Sequence, residues 1–327
     1  MSNSNNATAF WVTHPGRGEL RHESLPAAGE DDVLVRTLYS GISRGTESLV
    51  FNARVPESEF ARMRAPFQAG DFPVPVKYGY ANVGHVLQGP PKLLNQRVFC
   101  LYPHQDYFVV PASAVLPLPD DLPSERAVLA ANMETAINGV WDAEPVLGER
   151  ISVIGAGVVG ALVAYLCARI PGVEVQLIDI NPDREPLATK LGVPFSLPDE
   201  ASAEQDCVIH ASGHADGLRQ ALSLVGNEGR IVEMSWFGEG EVSVPLGGAF
   251  HSQRLTLRAS QVGQLPPRLL PRWDYQRRLR LALKLLVDDC LDALISGESD
   301  FTHMPDLAPE LLSSSSTELC HRLRYSH

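Results

Sequence analysis

Apolar and polar positions alternate in short runs over the first third of the chain. The runs VLVRTLYSGIS, QRVFCLY and DYFVVPASAVLPL are rich in β-branched and aromatic residues, and clusters of Gly, Pro and Asp separate them. This pattern predicts an all-β, barrel-like region from Thr8 to about Leu122. A further run, VPVKYGYANVGHV at residues 74–86, is predicted as a β-hairpin with Gly79 and Tyr80 in its middle.

Beyond Ile151 the pattern changes to apolar strand runs that alternate with amphipathic stretches. The strand runs are ISVI, VEVQLID, DCVIHAS, RIVEMSW and LTLRASQ, and the stretches PDREPLATKLG and GLRQALSLVG lie between some of them. Such alternation predicts a doubly wound parallel sheet with helices on both faces. After the proline-rich GQLPPRLLPRWD, helical spacing returns at Leu279, Leu283 and Leu286.

Composition narrows the class of protein and of partner. The 327 residues are 44% apolar and 20% charged, which predicts a globular protein of two domains. The net charge of −12 repels phosphate backbones and anionic lipid, so neither a nucleic acid nor a membrane is an expected partner. Five scattered cysteines and an N-terminus without signal-peptide character predict free thiols in the cytoplasm.

The uncharged run ISVIGAGVVGALVAYLCA is long enough to span a bilayer, but its glycines fall where a strand would turn into a helix. GAGVVG has the spacing of a dinucleotide-binding loop. Gly155 permits a tight turn, Gly157 lets the backbone approach a pyrophosphate, and Gly160 allows close helix–strand packing. The N-terminus of the following helix then offers N–H groups and partial positive charge to the phosphates.

Asp179 ends the next strand run, 19 residues beyond Gly160. A carboxylate there can accept the adenosine ribose hydroxyls, and it would repel a 2′-phosphate by about 4 kcal/mol at roughly 4 Å with an effective dielectric near 20. The sequence therefore favours NAD over NADP, although Arg184 can offset part of the selectivity. The alternative is that Asp179 only caps the turn into PDREPLATKLG.

These segments together resemble the medium-chain dehydrogenase/reductase superfamily, of the alcohol dehydrogenase type. LPAAGEDDVLVRTLYSGIS is similar to its opening strands, ISVIGAGVVG and DINPDREPLATKLGV to its cofactor site, and DCVIHASG with EGRIVEMSWFG to the strands whose loops line the nicotinamide. More narrowly, SGISRGTESLVF, KYGYANVG, NGVWDAEPVLGER and RLTLRASQVG are similar to the branch that contains the bacteriochlorophyllide 3-hydroxyethyl dehydrogenases.

The resemblance implies an all-β GroES-like barrel and an α/β Rossmann domain with a doubly wound parallel sheet. Residues 1–122 would form the GroES-like substrate domain, 123–265 the Rossmann domain, and 266–327 a segment that returns to the first domain. The substrate would bind between the domains. The implied cofactor contacts are Thr135, Gly155, Gly157, Val158, Val159, Gly160, Asp179, Ile180, Arg184, Ala211, Ser212, Gly213, Ser235 and Trp236.

The zinc ligands of this superfamily are missing from the matching positions. Ser43 or Arg44 falls at the position of the first ligand, a cysteine, in SRGTE, and Tyr80 replaces the histidine of Gly-His-Glu. The third ligand position falls near Ala131. Zinc requires three protein ligands with N, S or O donors, so no metal site is predicted. His85 is out of register for a ligand.

Catalysis without zinc would rest on hydrogen-bond donors at the vacated positions, Tyr80 and Ser43. Glu47 lies at the position of the family's supporting acid and could anchor Ser43 or Arg44. The alternatives are that Tyr80 only lines the substrate site and that Glu47 only makes a structural hydrogen bond in the turn. His104, in LYPHQDYF, is predicted to be a loop residue rather than a metal ligand.

The predicted function is that of a zinc-independent, NAD-dependent, alcohol dehydrogenase-like enzyme that transfers hydride between nicotinamide and a small-molecule secondary alcohol or ketone. One alternative is a quinone or enone reductase. Another is a dinucleotide-binding protein without catalysis. The run LTLRASQ would leave an unpaired apolar edge on the Rossmann sheet, which predicts a homodimer.

Overall fold

The computed structural model describes residues 6–326. The chain forms two compact units. The first unit runs to Ala131 and resumes at Leu283, and the second comprises Asn132–Ala282. The second unit is therefore inserted into the sequence of the first.

The N-terminal part of the first unit is built of short strands, as its alternating pattern predicts. These are β1 (Asn6–His14), β2 (Arg17–Ser24), β3 (Asp32–Ile42), β4 (Ala69–Gly70), β5 (Val76–Lys77), β6 (Asn82–Gln88), β7 (Arg97–Cys100), β8 (Tyr107–Pro111) and β9 (Val115–Pro117). Helix α1 (Arg44–Phe51) follows β3, and helix α2 (Ser124–Ala127) follows β9. The inward positions of β3 are filled by Val33 and Val35, which pack with Val86, Val98 and Phe108 in one buried cluster.

Helix α3 (Ala130–Ala143) leads into the second unit, where strands and helices alternate. They are β10 (Arg150–Ile154), α4 (Val158–Cys167), β11 (Glu174–Ile178), α5 (Glu185–Leu191), β12 (Phe195–Ser196), β13 (Gln205–His210), α6 (Ala215–Leu224), β14 (Val225–Glu233), α7 (Ala249–Ser252), β15 (Thr256–Ala259) and α8 (Tyr275–Leu285). The strands form one parallel sheet in the order β12-β11-β10-β13-β14-β15. This is the strand order of dinucleotide-binding doubly wound folds, and the prediction of a parallel sheet is confirmed.

The chain ends with β16 (Ile295–Asp300), α9 (Met304–Leu311) and β17 (Cys320–Arg324). β17 pairs with β3, so the end of the chain completes a sheet of the first unit with the order β16-β17-β3-β6-β7-β9 and with β8 also on β3. A second sheet of this unit has the order β2-β1-β5-β4. Short 3₁₀ turns lie at Glu57–Glu59, Ala112–Ala114, Pro182–Arg184, Pro198–Glu200, Asp289–Leu294 and Phe301–His303.

The hairpin predicted for residues 74–86 is wrong. β5 pairs with β1 and β4, whereas β6 pairs with β3 and β7 in the other sheet. The residues between them, 78–81, carry the chain from one sheet to the next with Gly79 at φ +125°. A Cβ on Gly79 would lie 3.0 Å from Cδ2 of His104, so glycine also allows this close approach.

The uncharged run at residues 151–168 folds as β10, the glycine loop and α4. Over residues 6–326, each helix is too short or too polar to cross a bilayer. All five cysteines are free thiols: Cys100, Cys167, Cys207 and Cys320 are buried, and Cys290 is partly exposed.

Candidate functional site

The glycine loop between β10 and α4 has little space at two of its glycines. Gly155 has φ +104°, and a Cβ there would lie 2.7 Å from the backbone of Ser212. A Cβ on Gly160 would lie 1.9 Å from the carbonyl oxygen of Gly155. Only glycine fits at both positions, because the turn and the first helical turn are packed against backbone.

Gly157 differs, because a Cβ there would meet nothing within 4 Å. It is the N-cap of α4, and among residues 6–326 no side chain caps this helix end. Val158 and Val159, the first residues of α4, are partly exposed. Uncapped N–H groups beside an open backbone fit a pyrophosphate, which helix N-termini bind through N–H donors and the helix dipole.

Asp179 follows β11, and each of its carboxylate oxygens accepts a hydrogen bond from a nearby backbone N–H. Oδ2 accepts a hydrogen bond from the N–H of Ala156 at 2.6 Å, and Oδ1 accepts one from the N–H of Asn181 at 2.9 Å. Asp179 therefore does cap the turn that follows β11, as the alternative interpretation requires. Each oxygen keeps a second lone pair, so the ribose contact stays a prediction. Ile180 is 82% exposed beside it, and Arg184 is partly exposed at the end of a 3₁₀ turn.

The other residues assigned to the cofactor lie on loops at the carboxyl ends of β13 and β14, or on α3. Ala211, Ser212 and Gly213 follow β13, and Ser235 and Trp236 follow β14. β13 is parallel to β10, and β14 is parallel to β13. These loops and the glycine loop therefore lie at the same end of the sheet, where the strands have their carboxyl ends. Thr135 is a partly exposed residue of α3.

His210 and Glu233, at the ends of β13 and β14, were not predicted as site residues. His210 is fully buried, and its Nδ1 lies 2.6 Å from Oε2 of Glu233. Its Nε2 lies 2.6 Å from Oγ of Ser212. The sequence carries one signal for this cluster, a histidine inside the otherwise apolar strand run DCVIHAS.

In the first unit, the three predicted catalytic residues come together around the N-terminus of α1. Ser43 is the N-cap of this helix, and its N–H donates to Oε1 of Glu47 at 2.7 Å. The side chain of Tyr80 hydrogen-bonds with the side chains of Ser43 and Thr46. Ser43 and Glu47 are buried, whereas Tyr80 is partly exposed. We refer to Tyr80, Ser43 and Thr46 as the hydroxyl cluster.

His104 contacts Glu47, beside this cluster, from the buried side, which sequence reasoning missed. Its position in a loop is as predicted, but it is only 1% exposed. Nε2 of His104 lies 2.9 Å from Oε2 of Glu47, and Nδ1 lies 2.7 Å from Oγ of Ser40. Ser40 Oγ in turn lies 2.9 Å from the hydroxyl of Tyr325. A buried hydrogen-bonded chain thus runs from Tyr325 through Ser40 and His104 to the carboxylate of Glu47.

The environment of Tyr80 keeps its hydroxyl protonated. Burial, and then the charge of Glu47, raise the pKa of Tyr80 to about 12, while the hydrogen bonds from Ser43 and Thr46 act in the opposite direction. At neutral pH the side chain is therefore a hydrogen-bond donor and a poor proton acceptor.

The positions that the resemblance matches to zinc ligands carry other groups in this structure. Ser43 and Tyr80 offer hydroxyls, Ala131 offers no donor, and the guanidinium of Arg44 donates to the carbonyl oxygen of Ser316. In the part of the chain that the structure describes, no three His, Cys, Asp or Glu side chains form a cluster that could hold a metal ion. His85 lies on β6 opposite Arg36 and Arg97, where burial, then these two charges, lower its pKa.

Comparison with known proteins agrees with this architecture. No protein-family model matches the chain. An L-threonine 3-dehydrogenase of Rhizobium rhizogenes is 26% identical over 251 residues, which cover 65% of this chain and 71% of the relative. An L-idonate 5-dehydrogenase of Escherichia coli superposes with a TM-score of 0.80 at 15% identity, over 98% of both chains. The chain has the medium-chain dehydrogenase fold.

A second solved structure extends the comparison to a cofactor complex. It is a protein of Sinorhizobium meliloti assigned to the zinc-binding dehydrogenases and bound to NADP. Its TM-score is 0.77 at 18% identity, with 98% of this chain and 99% of the other covered. The first unit therefore has the architecture of the GroES-like domain and the second that of the Rossmann domain of medium-chain dehydrogenases, so the predicted fold class is confirmed.

Proposed function

We propose that the chain is an NAD-dependent oxidoreductase that interconverts a secondary alcohol and a ketone without a zinc ion. The observation that carries this proposal is the hydroxyl cluster beside the buried Glu47. Two of its members, Ser43 and Tyr80, stand at positions that the resemblance matches to metal ligands. The likeness to an L-threonine 3-dehydrogenase supports alcohol-type chemistry.

The glycine loop of the Rossmann domain supports a dinucleotide. The open space at Gly157 and the uncapped N-terminus of α4 would hold the pyrophosphate, and Asp179 with the exposed Ile180 would hold the adenosine. A bound nicotinamide supplies or accepts the hydride.

The chain's own contribution to the reaction is electrostatic. In ketone reduction, the hydroxyl of Tyr80 would donate to the carbonyl oxygen, on which negative charge develops. Ser43 and Thr46 fix the direction of that hydroxyl, and Glu47 fixes the backbone of Ser43. With its pKa raised to about 12, Tyr80 suits this donor role better than the acceptance of a proton from an alcohol.

The proposal that no zinc takes part rests on the chemical groups at the positions matched to zinc ligands. Zinc sites in proteins use thiolate, imidazole or carboxylate donors, and the matching positions here carry Ser43 or Arg44, Tyr80 and Ala131.

Chelator-treated protein should therefore reduce prochiral ketones with NADH at the same rate as untreated protein. The measurement is NADH absorbance against a panel of aliphatic and aromatic ketones, with metal content determined by elemental analysis. One zinc per chain and loss of activity on chelation would contradict the zinc-free mechanism. Turnover of enones or quinones alone would favour the reductase alternative, and NADH binding without any turnover would favour a non-catalytic protein.

The preference for NAD over NADP is proposed from Asp179. Wild-type protein should bind NADH at least about tenfold more tightly than NADPH, which corresponds to about 1.4 kcal/mol. Asp179→Ser removes the repulsion of a 2′-phosphate and keeps a hydroxyl, so the preference should shrink or reverse. Fluorescence titration of both cofactors against both proteins measures this.

Asp183→Ser is a matched control, since it removes an exposed carboxylate from the same loop. It should leave the preference for NADH largely intact, because its carboxylate is not assigned to the ribose. Equal affinities for NADH and NADPH in wild-type protein would instead support the reading in which Asp179 serves only the turn.

We also propose a homodimer formed through β15. This strand is an edge of the six-stranded sheet, and Leu257 on it is 37% exposed. An exposed edge strand readily pairs with a second copy. Sedimentation velocity at micromolar concentration should show a dimer, and a monomer at that concentration would refute this assembly.

A further inference from the structure

Residues 265–282 form a basic segment in an acidic protein. The segment LPPRLLPRWDYQRRLRLA contains five arginines and one acidic residue, whereas the whole chain has a net charge of −12. Two of these arginines pair with glutamates, Arg268 with Glu144 and Arg278 with Glu134. The other three are exposed, and within the described part of the chain no carboxylate lies at ion-pair distance from them. They are Arg272, Arg277 and Arg280.

A pair of tryptophans holds one of these arginines in a fixed direction. The guanidinium carbon of Arg277 lies 4.0 Å from the centroid of the Trp273 ring, and this ring lies 4.7 Å from that of Trp141 near the end of α3. The guanidinium also donates to the carbonyl oxygen of Arg272. Asp274, the one acid of the segment, accepts the backbone N–H of Arg277 at 2.6 Å. Because the side chain is already held, less conformational entropy is lost when it binds a partner.

A groove of about 420 Å³ opens beside Trp141. Apolar side chains are exposed at this groove and along the basic segment, since Val146, Leu147, Leu270 and Tyr275 are each more than half exposed. Tryptophan, tyrosine and arginine around an apolar depression are the composition of a protein interface. The groove is lined by Val140, Trp141, Glu144, Pro145, Val146 and Arg268.

The groove lies at the end of the sheet opposite to the glycine loop. Residues 144–149 connect α3 to the first residue of β10, so they lie at the amino end of this strand. The glycine loop and the loops after β13 and β14 lie at the carboxyl ends of the strands. The groove is therefore not part of the proposed cofactor site.

We propose that the groove and the three exposed arginines form a docking surface for a short acidic segment of a partner protein. An apolar side chain of that segment would enter the groove beside Trp141, and its carboxylates would bind Arg272, Arg277 and Arg280. The guanidinium group matches a carboxylate with two parallel N–H donors, which suits it to this recognition. We refer to the groove with these arginines as the basic groove.

Charge and shape favour an acidic polypeptide over other anionic partners. A nucleic acid would extend its phosphates beyond the basic groove and over the surface of a protein with a net charge of −12, which repels them. Anionic membranes attract clusters of about four to eight basic side chains, whereas three unpaired arginines lie beside a concave surface here. A short segment needs only the basic groove itself.

The test is fluorescence anisotropy of the full-length protein with a fluorescein-labelled peptide of glutamates interrupted by single leucines. At physiological salt this peptide should bind at least about tenfold more tightly than a peptide with lysines in place of the glutamates. It should also bind more tightly than a peptide with serines in place of the leucines, which cannot fill the groove. Added salt should weaken binding, because exposed charges are screened.

Three variants of the basic groove should weaken binding of the glutamate–leucine peptide. Arg277→Glu replaces an attraction with a repulsion and should weaken it at least about tenfold. Val146→Ser removes apolar surface from the groove and should weaken it about three- to tenfold. Arg280→Glu, whose side chain bonds only to Gln276, should act like Arg277→Glu and decides the question if that variant does not fold. Arg17→Glu, at an exposed arginine that begins β2, is the matched control and should bind normally.

Several results would overturn the inference. Equal binding of the lysine–leucine peptide, or equal weakening by Arg17→Glu and Arg280→Glu, would show that no specific surface is present. Tighter binding of duplex DNA or of phosphatidylserine vesicles than of the glutamate–leucine peptide would assign the surface to that class of partner. Conversion of a dimer to a monomer by Arg280→Glu would assign it to a second copy of the chain. The assay contains no nicotinamide and no ketone, so its result is independent of the proposed function.

Discussion

Tyr80→Phe should lower kcat for ketone reduction about 100- to 1,000-fold while leaving NADH affinity nearly unchanged. The change keeps the ring and removes the one hydroxyl that Ser43 and Thr46 hold in place. A donor aimed at developing negative charge contributes to the transition state more than to substrate binding, so KM should change much less than kcat. Steady-state kinetics with a ketone from the active panel measures both.

Tyr78→Phe is the matched control, because its buried ring lies 5.9 Å from that of Tyr80 in an edge-on contact. It should reduce kcat far less. Wild-type kcat in Tyr80→Phe would show that Tyr80 only lines the substrate site.

The pH profile gives a second check on Tyr80 with the same assay. A tyrosine is a donor below its pKa, and here that pKa is raised to about 12. The reduction rate should therefore show no loss assignable to Tyr80 between about pH 6 and 10. A titration of activity in that interval that disappears in Tyr80→Phe would contradict the raised pKa.

Gly160→Ala should destabilise the Rossmann domain and abolish NADH binding, whereas Gly157→Ala should impair binding alone. The added methyl at residue 160 would lie 1.9 Å from the carbonyl oxygen of Gly155, so backbone must move. Overpacking of this kind costs about 1–3 kcal/mol, which at about 2–4 °C per kcal/mol lowers Tm by roughly 2–12 °C. Differential scanning calorimetry and NADH titration on the two variants measure the contrast.

Gly157→Ala places its methyl in open space, so its Tm should stay close to that of wild-type protein. The methyl would occupy the space assigned to the pyrophosphate, and NADH should bind at least about tenfold more weakly. Normal NADH affinity in Gly157→Ala would mean that no phosphate approaches this backbone.

The parallel sheet could be predicted because its signals are local. Strand runs such as ISVI are apolar throughout, and the glycines at 155 and 160 mark the turn and the packed helix within six residues. The hairpin at residues 74–86 failed for the opposite reason. Both arms alternate as strands do, but their partners, β1 and β3, are specified by distant chain segments rather than by the run itself.

The supporting histidines could not be predicted for a similar reason. His104 acquires its role through Glu47, 57 residues earlier, and His210 through Glu233, 23 residues later. The sequence does not show which distant residues will face each other in the fold. An isolated histidine in a loop or a strand therefore gives no sign of its partner. Ser43, Glu47 and Tyr80 could be predicted because they lie in motifs that resemble those of the family, whereas Thr46 was missed.

The pairing of β17 with β3 delays completion of one sheet during synthesis of the protein. Residues 39–42 of β3 pair with residues 321–324 of β17, and the N–H of Tyr325 donates to the carbonyl oxygen of Leu38. On a ribosome that adds about 5–20 residues per second, roughly 15–55 s pass between these two segments. Every residue of the Rossmann domain is synthesised in that interval. The strand that leads into Ser43 therefore keeps this edge unpaired until residues 321–324 have been synthesised, so its sheet is completed only after the whole Rossmann domain.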